Sequence, residues 1–137
     1  MDGIQGNIIN LKLNYILDWT KKRQVIAKIY DQNLSGIKDI TIPKIDPNST
    51  HVYHLYVICA KKRNDLQSFL KDNGIGTALH YPNILPLLDC YKHLELSGND
   101  FPVGKRLSSE ILSLPMFPEM NQDEIKYVCD KIREFYK

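Results

Sequence analysis

Histidines are the residues of this sequence that could most readily carry out chemistry, and there are four of them: His51, His54, His80 and His93. His51 and His54 lie three positions apart in a segment that we predict to be a β-strand, where their side chains would face opposite sides. That geometry does not suit a shared metal ion, and the HExxH pattern of zinc hydrolases is absent. The sequence therefore predicts no metal site.

His80 and Tyr81 stand at the end of a second predicted strand, immediately before a loop bracketed by Pro82 and Pro86. Binding residues collect where strands end and loops begin. An imidazole beside a phenol can hold a phosphate or a sugar hydroxyl through hydrogen bonds. Two interpretations stay open at this point: a ligand contact, or a half-buried pair that only fixes the loop.

Other patterns that often mark active sites are missing. The glycines Gly74 and Gly76 lack a third glycine and a following GK[ST], and they precede a predicted strand, so Gly74 is better explained as the end of a helix. There is no GxSxG, and no serine or cysteine has a convincing nucleophile context. The carboxylates Asp89, Glu95 and Asp100 are scattered, which favours surface or capping roles over an acid–base pair.

Composition and charge narrow the class of protein. A chain of 137 residues with 43% hydrophobic and 25% charged residues fits one folded domain. A net charge of +2 is too small to indicate nucleic acid or a membrane surface as the partner. Neither a spanning apolar stretch nor a signal-peptide pattern is present. The three cysteines are far apart with no CxxC, which predicts no disulfide framework, no zinc site and a cytoplasmic location.

The elements that must position His80 and Tyr81 follow from periodicity, prolines and capping patterns. In chain order we predict one or two helices over 2–34, an edge strand at 40–42, a central strand at 51–60, a helix from Asn64 to Gly74, a strand at 76–81, a short helix at 87–96, a helix from Asp100 to about 112, a strand at 113–117 and a helix from Asn121. Capping boxes are predicted for Asp2 with Gln5, Asn64 with Gln67 and Asn121 with Glu124. The sum is an α+β fold, a small sheet with packed helices.

The first predicted helix is apolar nearly all round. Such a helix is normally buried in a larger body, so its exposure would indicate a missing partner surface. The residues concerned are Ile4, Ile8, Ile9, Leu11, Leu13, Tyr15, Ile16, Leu17 and Trp19.

Five strings, in order over essentially the whole chain, resemble the DegT–StrS group of sugar-nucleotide aminotransferases. The glycine-to-proline string Gly-Ile-Gly-Thr-Ala-Leu-His-Tyr-Pro is similar to that family's GI-x-T-x-x-HYP segment. The strings are Met1–Gln5 followed by Trp19, Arg23, Ala27 and Tyr30; His51–Ile58; Gly74–Pro82; Asp100–Val103; and Leu112–Pro118.

This resemblance implies the C-terminal small domain of the aspartate-aminotransferase architecture (fold type I), with a small antiparallel sheet, packed helices and a long N-terminal helix. Members use pyridoxal phosphate, act as dimers and move an amino group, usually from glutamate, to a nucleotide-linked keto-sugar for surface polysaccharide or lipopolysaccharide biosynthesis. In them a large N-terminal domain carries the Schiff-base lysine. We expect residues 1–137 to be the small domain without that large domain, to bind no cofactor and to be incompetent for transamination alone. The expected partners are the missing domain or a second copy, with a nucleotide sugar as ligand of the intact enzyme.

The resemblance also assigns site residues. His80 and Tyr81 match the family's HY pair near the mouth of the active site, and we carry over a substrate-contact role for these two alone. No residue here is expected to be catalytic, to bind the cofactor or to ligate a metal.

The loop after this pair departs from the family pattern. Ile84, Pro86 and Leu88 stand where proline, histidine and glutamine are usual, and Gly104 and Lys105 stand where alanine and glutamate are common. A site that has lost hydrogen-bonding groups should bind the usual sugar ligands much more weakly. We therefore expect a different substrate or a decayed site. Two alternatives to the enzyme domain stay open: a stand-alone binding or dimerisation module, and a non-functional remnant of a truncated gene.

Overall fold

The chain folds into helices packed on a small sheet, with one helix lying outside the packed body. This computed structural model describes residues 2–137, so the resemblance at Met1 lies outside the described residues. The helices are α1 (Gly3–Leu13), α2 (Ile16–Leu34), α3 (Arg63–Asp72), α4 (Pro102–Glu110) and α5 (Gln122–Phe135), and the strands are β1 (Ile40–Thr41), β2 (Tyr56–Ala60) and β3 (Ile111–Leu114). Two 3-10 turns, Leu85–Leu87 and Asp89–Leu94, lie between α3 and α4.

The sheet has three antiparallel strands in the order β1-β2-β3, so β2 is central, as predicted. Tyr56 pairs with Leu114 and Ile58 with Leu112. Alternate residues of β2 are fully buried, because successive side chains of a strand point to opposite faces, and those between them are half-buried. The α+β fold class is confirmed.

The core lies between one face of the sheet and α2, α3 and α5. Burial of apolar side chains supplies most of the driving force for this packing. The largest fully buried side chains are Tyr30, Leu34, Tyr56, Ile58, Leu66, Leu70, Leu112, Ile125 and Ile132. The α5 start confirms the predicted capping box, since Asn121 accepts from the Glu124 amide and the Glu124 carboxylate accepts from the Asn121 amide. No helix among residues 2–137 is both long and apolar enough to cross a membrane.

The predicted central strand over 51–60 was too long. β2 begins at Tyr56, because its partner strand ends at Leu114 and the next residue, Pro115, has no amide hydrogen to continue the ladder. Residues 51–55 are irregular, with Tyr53 in the left-handed region at a φ of 50°. The argument that placed His51 and His54 on opposite faces of a strand was therefore wrong.

The start of α3 also differs from the prediction, whereas its end agrees. The predicted capping box at Asn64 is wrong, because the helix begins at Arg63 and the Asn64 side chain accepts a 2.7 Å hydrogen bond from Arg63 Nε. Gly74 is the left-handed residue after the helix, with a φ of 75°. The Gly74 amide donates to the Lys71 carbonyl and the Ile75 amide to the Leu70 carbonyl, which is the Schellman pattern.

The predicted strand at 76–81 is reduced to a single bridge, in which Ala78 pairs with Ser113 on the outer side of β3. A longer ladder could extend only as far as Ile111, because β3 begins at that residue, directly after α4. The helix predicted at 87–96 is only a 3-10 turn over Asp89–Leu94, preceded by the turn Leu85–Leu87, and it ends at Glu95, which is left-handed with a φ of 53°.

The boundaries around α4 and β3 are shifted relative to the sequence prediction. Pro102 does lie in the first turn of α4, but the Asp100 carboxylate accepts from the Ser97 amide instead of capping the helix. The helix ends at Glu110 and the strand follows at once as Ile111–Leu114, two residues earlier than the predicted strand at 113–117.

Candidate functional site

His80 is held against the outer edge of the sheet by Ser113. Two backbone hydrogen bonds between Ala78 and Ser113, of 3.2 and 2.8 Å, attach the segment to β3. His80 Nδ1 then lies 2.9 Å from Ser113 Oγ, and Ser113 is buried. Because Nδ1 is engaged, Nε2 is the ring nitrogen left to meet an incoming ligand.

Tyr81 projects from this anchored position into solvent. Its side chain is 72% exposed, and its ring meets the His80 ring edge-on with the centroids 5.6 Å apart. The structure thus brings the two predicted site residues together, with His80 fixed by Ser113 and Tyr81 exposed to solvent. It does not test whether they contact substrate, which stays a prediction.

Sequence reasoning missed Ser113 as part of this arrangement. The signal was available, because a lone hydroxyl residue stands between two leucines in the otherwise apolar strand β3. A buried hydroxyl needs a hydrogen-bond partner, and His80 supplies it.

Buried phenols form a second polar cluster, next to the sheet. The Tyr56 hydroxyl donates to Asp31 Oδ1 at 2.6 Å, and the Tyr30 hydroxyl donates to the Pro115 carbonyl at 2.9 Å. Burial above all, and then the hydrogen bond to Asp31 and the Asp31 charge, raise the pKa of Tyr56 far above its ordinary value. Burial likewise raises the pKa of Tyr30. These hydroxyls keep their protons near neutral pH, which suits a structural role.

The remaining histidines do not assemble a metal site. His51 Nδ1 accepts from the Tyr53 amide at 2.9 Å, and His93 Nδ1 lies 3.1 Å from the Cys90 carbonyl. Within the part of the chain that the structure describes, no group of three histidine, cysteine, aspartate or glutamate residues is placed to hold a metal ion.

The lysines do not have the surroundings that a cofactor-binding lysine needs. A lysine that forms a Schiff base at neutral pH requires a desolvated pocket or a neighbouring cation. The lysines among residues 2–137 are exposed apart from Lys131, which is half-buried on α5. The hydrogen bond that Lys131 Nζ donates to the Glu134 carboxylate raises the pKa of Lys131, which is the opposite of the shift required. The residues described here therefore do not fit a Schiff base with pyridoxal phosphate.

A large apolar surface lies on α1 and the start of α2, and we call it the first-helix surface. No residue of α1 is buried. The exposed side chains that define this surface are Ile4, Ile8, Ile9, Leu11, Leu13, Tyr15, Ile16 and Leu17. Two turns further along α2, Arg23 Nε is buried without an acceptor among the described residues. Soluble proteins that expose contiguous apolar side chains usually cover them with a partner.

Comparison with known proteins identifies what this chain resembles. The model of the DegT/DnrJ/EryC1/StrS aminotransferase family matches residues 1–133. The chain is 37% identical to a protein of Geobacillus stearothermophilus named a pleiotropic regulatory protein, over 100% of this chain and 37% of that relative. It is 31% identical to a dTDP-3-amino-3,6-dideoxy-alpha-D-galactopyranose transaminase of Aneurinibacillus thermoaerophilus, over 98% of this chain and 36% of that enzyme.

Solved structures share the fold. The crystal structure of DesV from S. venezuelae in complex with a ketimine intermediate superposes with a TM-score of 0.96 at 27% identity. That match covers 100% of this chain and 37% of DesV. The chain therefore spans little more than a third of the relatives it matches, and the expected aminotransferase small-domain fold is confirmed.

Proposed function

The chain belongs to the DegT/DnrJ/EryC1/StrS aminotransferase family, and we propose that it forms the C-terminal domain of a pyridoxal-phosphate-dependent enzyme that aminates a nucleotide-linked keto-sugar. The observation that carries this proposal is the superposition of the whole chain on one part of a sugar aminotransferase. Named relatives that act on dTDP-linked and UDP-linked sugars support a nucleotide sugar as substrate. A spore coat polysaccharide biosynthesis protein among the relatives supports a place in surface polysaccharide assembly.

The proposed division of labour follows from the lysines. Pyridoxal phosphate, when bound in such an enzyme, carries the amino group between donor and acceptor. Since the lysines described here lack a desolvated pocket, we assign the cofactor to a large domain outside residues 1–137. This chain on its own then binds no cofactor and does not transaminate.

We assign the first-helix surface to contact with that large domain. Burying its apolar side chains would remove from water an area that the chain alone leaves exposed. The partner would also supply an acceptor for Arg23 Nε, because a buried donor without a partner costs free energy.

His80 and Tyr81 are the proposed substrate contacts. Ser113 fixes the imidazole, so that Nε2 and the exposed Tyr81 hydroxyl can meet sugar hydroxyl or phosphate oxygens. In this role the two residues bind and orient the sugar nucleotide and take no part in amino transfer.

The test joins the chain to the large domain of DesV. In this fusion the chain replaces the part of DesV that it matches. We expect the fusion to transfer the amino group from glutamate to a dTDP-linked keto-sugar, and the chain alone to show no turnover. Tyr81→Phe in the fusion should weaken substrate binding, whereas Tyr91→Phe, which alters another exposed tyrosine, should not. An imine absorbance band with stoichiometric lysine modification, obtained by titrating the chain alone with pyridoxal phosphate, would overturn the proposal.

A second candidate is a dimerisation module, which the first-helix surface also favours. In this case two copies would cover each other's α1 without any large domain. Sedimentation equilibrium distinguishes the candidates, because a dimer that Leu11→Asp dissociates supports the module. Monomers at high concentration exclude it.

A further inference from the structure

The loop that follows His80 and Tyr81 contacts α4 at a position where a glycine leaves space for a side chain of the loop. A β-carbon added at Gly104 would lie 3.1 Å from Ile84 Cγ2, closer than side chains normally pack. Ile84 is half-buried, whereas its neighbour Leu85 is 70% exposed. Ile84 is therefore the loop side chain that uses the space left by Gly104.

The far end of the same loop meets α4 in a similar way. A β-carbon at Gly98 would lie 2.7 Å from Lys105 Cδ, so the aliphatic part of Lys105 lies over Gly98. Lys105 follows Gly104 directly in α4. One turn of this helix thus touches the loop near its beginning and at its end.

These contacts matter because the loop has little else to hold it. Neither 3-10 turn contains a buried residue. Tyr81 lies between two attachments: His80 on Ser113 of β3 before it, and Ile84 on Gly104 of α4 after it. Since β3 follows α4 without a linker, the two attachments belong to one continuous support.

We infer that Ile84, seated over Gly104, is the residue that positions Tyr81 for substrate contact in this protein. The inference rests on the proposed function for the role of Tyr81, but the contact itself can be tested independently. Ile84 is a positioning residue, because it acts through Tyr81.

Hydrogen exchange of the loop amides tests the seating without any ligand. The amides of Leu87, Leu88 and Tyr91 each donate within the loop and report its order. In Ile84→Ala we expect them to exchange about tenfold faster, equivalent to about 1.4 kcal/mol of local stability. Leu85→Ala, the matched control, should leave them unchanged, and equal exchange in the two variants would overturn the inference.

Gly104→Ala gives the second measurement through its dependence on Ile84. With Ile84 present, the new methyl group should displace the loop and speed loop exchange. In the Ile84→Ala background the methyl group enters vacated space, so Gly104→Ala should cause no further increase. Equal effects in both backgrounds would mean that the residues do not share a contact.

Rescue by shape separates positioning from general loss of apolar area. Ile84→Val keeps the Cγ2 methyl group that faces Gly104, whereas Ile84→Leu keeps the side-chain volume but moves the branch. We expect dTDP-glucose binding by the DesV fusion to be normal in the valine variant. The leucine and alanine variants should bind about tenfold more weakly, in step with loop exchange and in the direction of Tyr81→Phe. Normal binding by both the leucine and the alanine variant would overturn the positioning role.

The two proposals fail in different ways. If no variant of the fusion binds dTDP-glucose, the unaltered one included, while the exchange differences persist, the proposed substrate role fails and the seating stands. If the unaltered fusion binds but Ile84→Ala behaves like Leu85→Ala throughout, this inference alone fails.

Discussion

Two halves of a single helix show the contrast between the packed body and the first-helix surface. At the C-terminal half of α2, Ile26, Tyr30 and Leu34 are buried, and this helix packs against α5. At the N-terminal end of the same helix, Ile16 and Leu17 are exposed. The residue types are alike, so the difference lies in what stands opposite them.

The contrast shows that apolar patterning predicts the need for burial but does not identify what provides it. The packed body satisfies that need within residues 2–137, with aromatic and aliphatic side chains from several elements. For α1 no residue of the described chain does so. Under the proposed function, the first-helix surface is the part of a larger core that another domain completes.

The largest predicted effect separates the two regions by leucine truncation. Leu112→Ala removes a fully buried side chain, so we expect the free energy of unfolding to fall by about 2–5 kcal/mol. Leu17→Ala removes a side chain that is 76% exposed, and we expect a change within about 0.5 kcal/mol. Urea titration of both variants measures the difference. A comparable loss in Leu17→Ala would mean that the start of α2 already belongs to the cooperative unit.

A smaller loss of stability is expected at alkaline pH, and it should arise in the packed body. Burial raises the pKa of the Cys129 thiol from its ordinary value of 9.0 to about 11. The folded state then holds the proton more tightly than the unfolded state, so this stabilisation is present below pH 9.0 and is lost as the pH rises to about 11. Tyr56, whose pKa is also raised, should extend the loss to higher pH.

The variant Cys129→Ala isolates the thiol in this response. We expect urea midpoints to fall less steeply from pH 9.0 to about 11 in Cys129→Ala than in the unaltered chain. Cys90→Ala, which changes an exposed thiol in the loop, should keep the original slope. Identical slopes in all three proteins would show that Cys129 does not contribute to alkaline instability.

The contrast also explains what sequence could predict about the fold. Features with strong local signals were right: helix over 2–34, where the sequence left one or two helices open, the central position of β2, and the capping boxes at Asp2 and Asn121. Errors occurred where a tertiary partner sets the limit. β2 begins only at Tyr56, because Pro115 ends its partner strand, and the segment at 76–81 pairs only through Ala78.

The candidate site shows the same division. The pairing of His80 and Tyr81 follows from their adjacency and their place before a proline loop. Their different environments do not, because the Ser113 hydroxyl that fixes His80 lies 33 residues away in sequence. The contact of Ile84 with Gly104 likewise joins two residues that no local pattern in the sequence brings together.

The smallest predicted effect uses two matching capping boxes, one in each region. Asn121 caps α5, one face of which is buried in the core, whereas Asp2 caps α1, which has no buried residue. We expect Asn121→Ala to lower the free energy of unfolding by about 1 kcal/mol, because fraying of α5 loosens the core. Asp2→Ala should leave the unfolding free energy unchanged while reducing helix content, measured by circular dichroism. In the DesV fusion, where α1 would be covered, Asp2→Ala should also become destabilising. Such a gain of effect would show that the first helix joins the folded unit only when its surface is occupied.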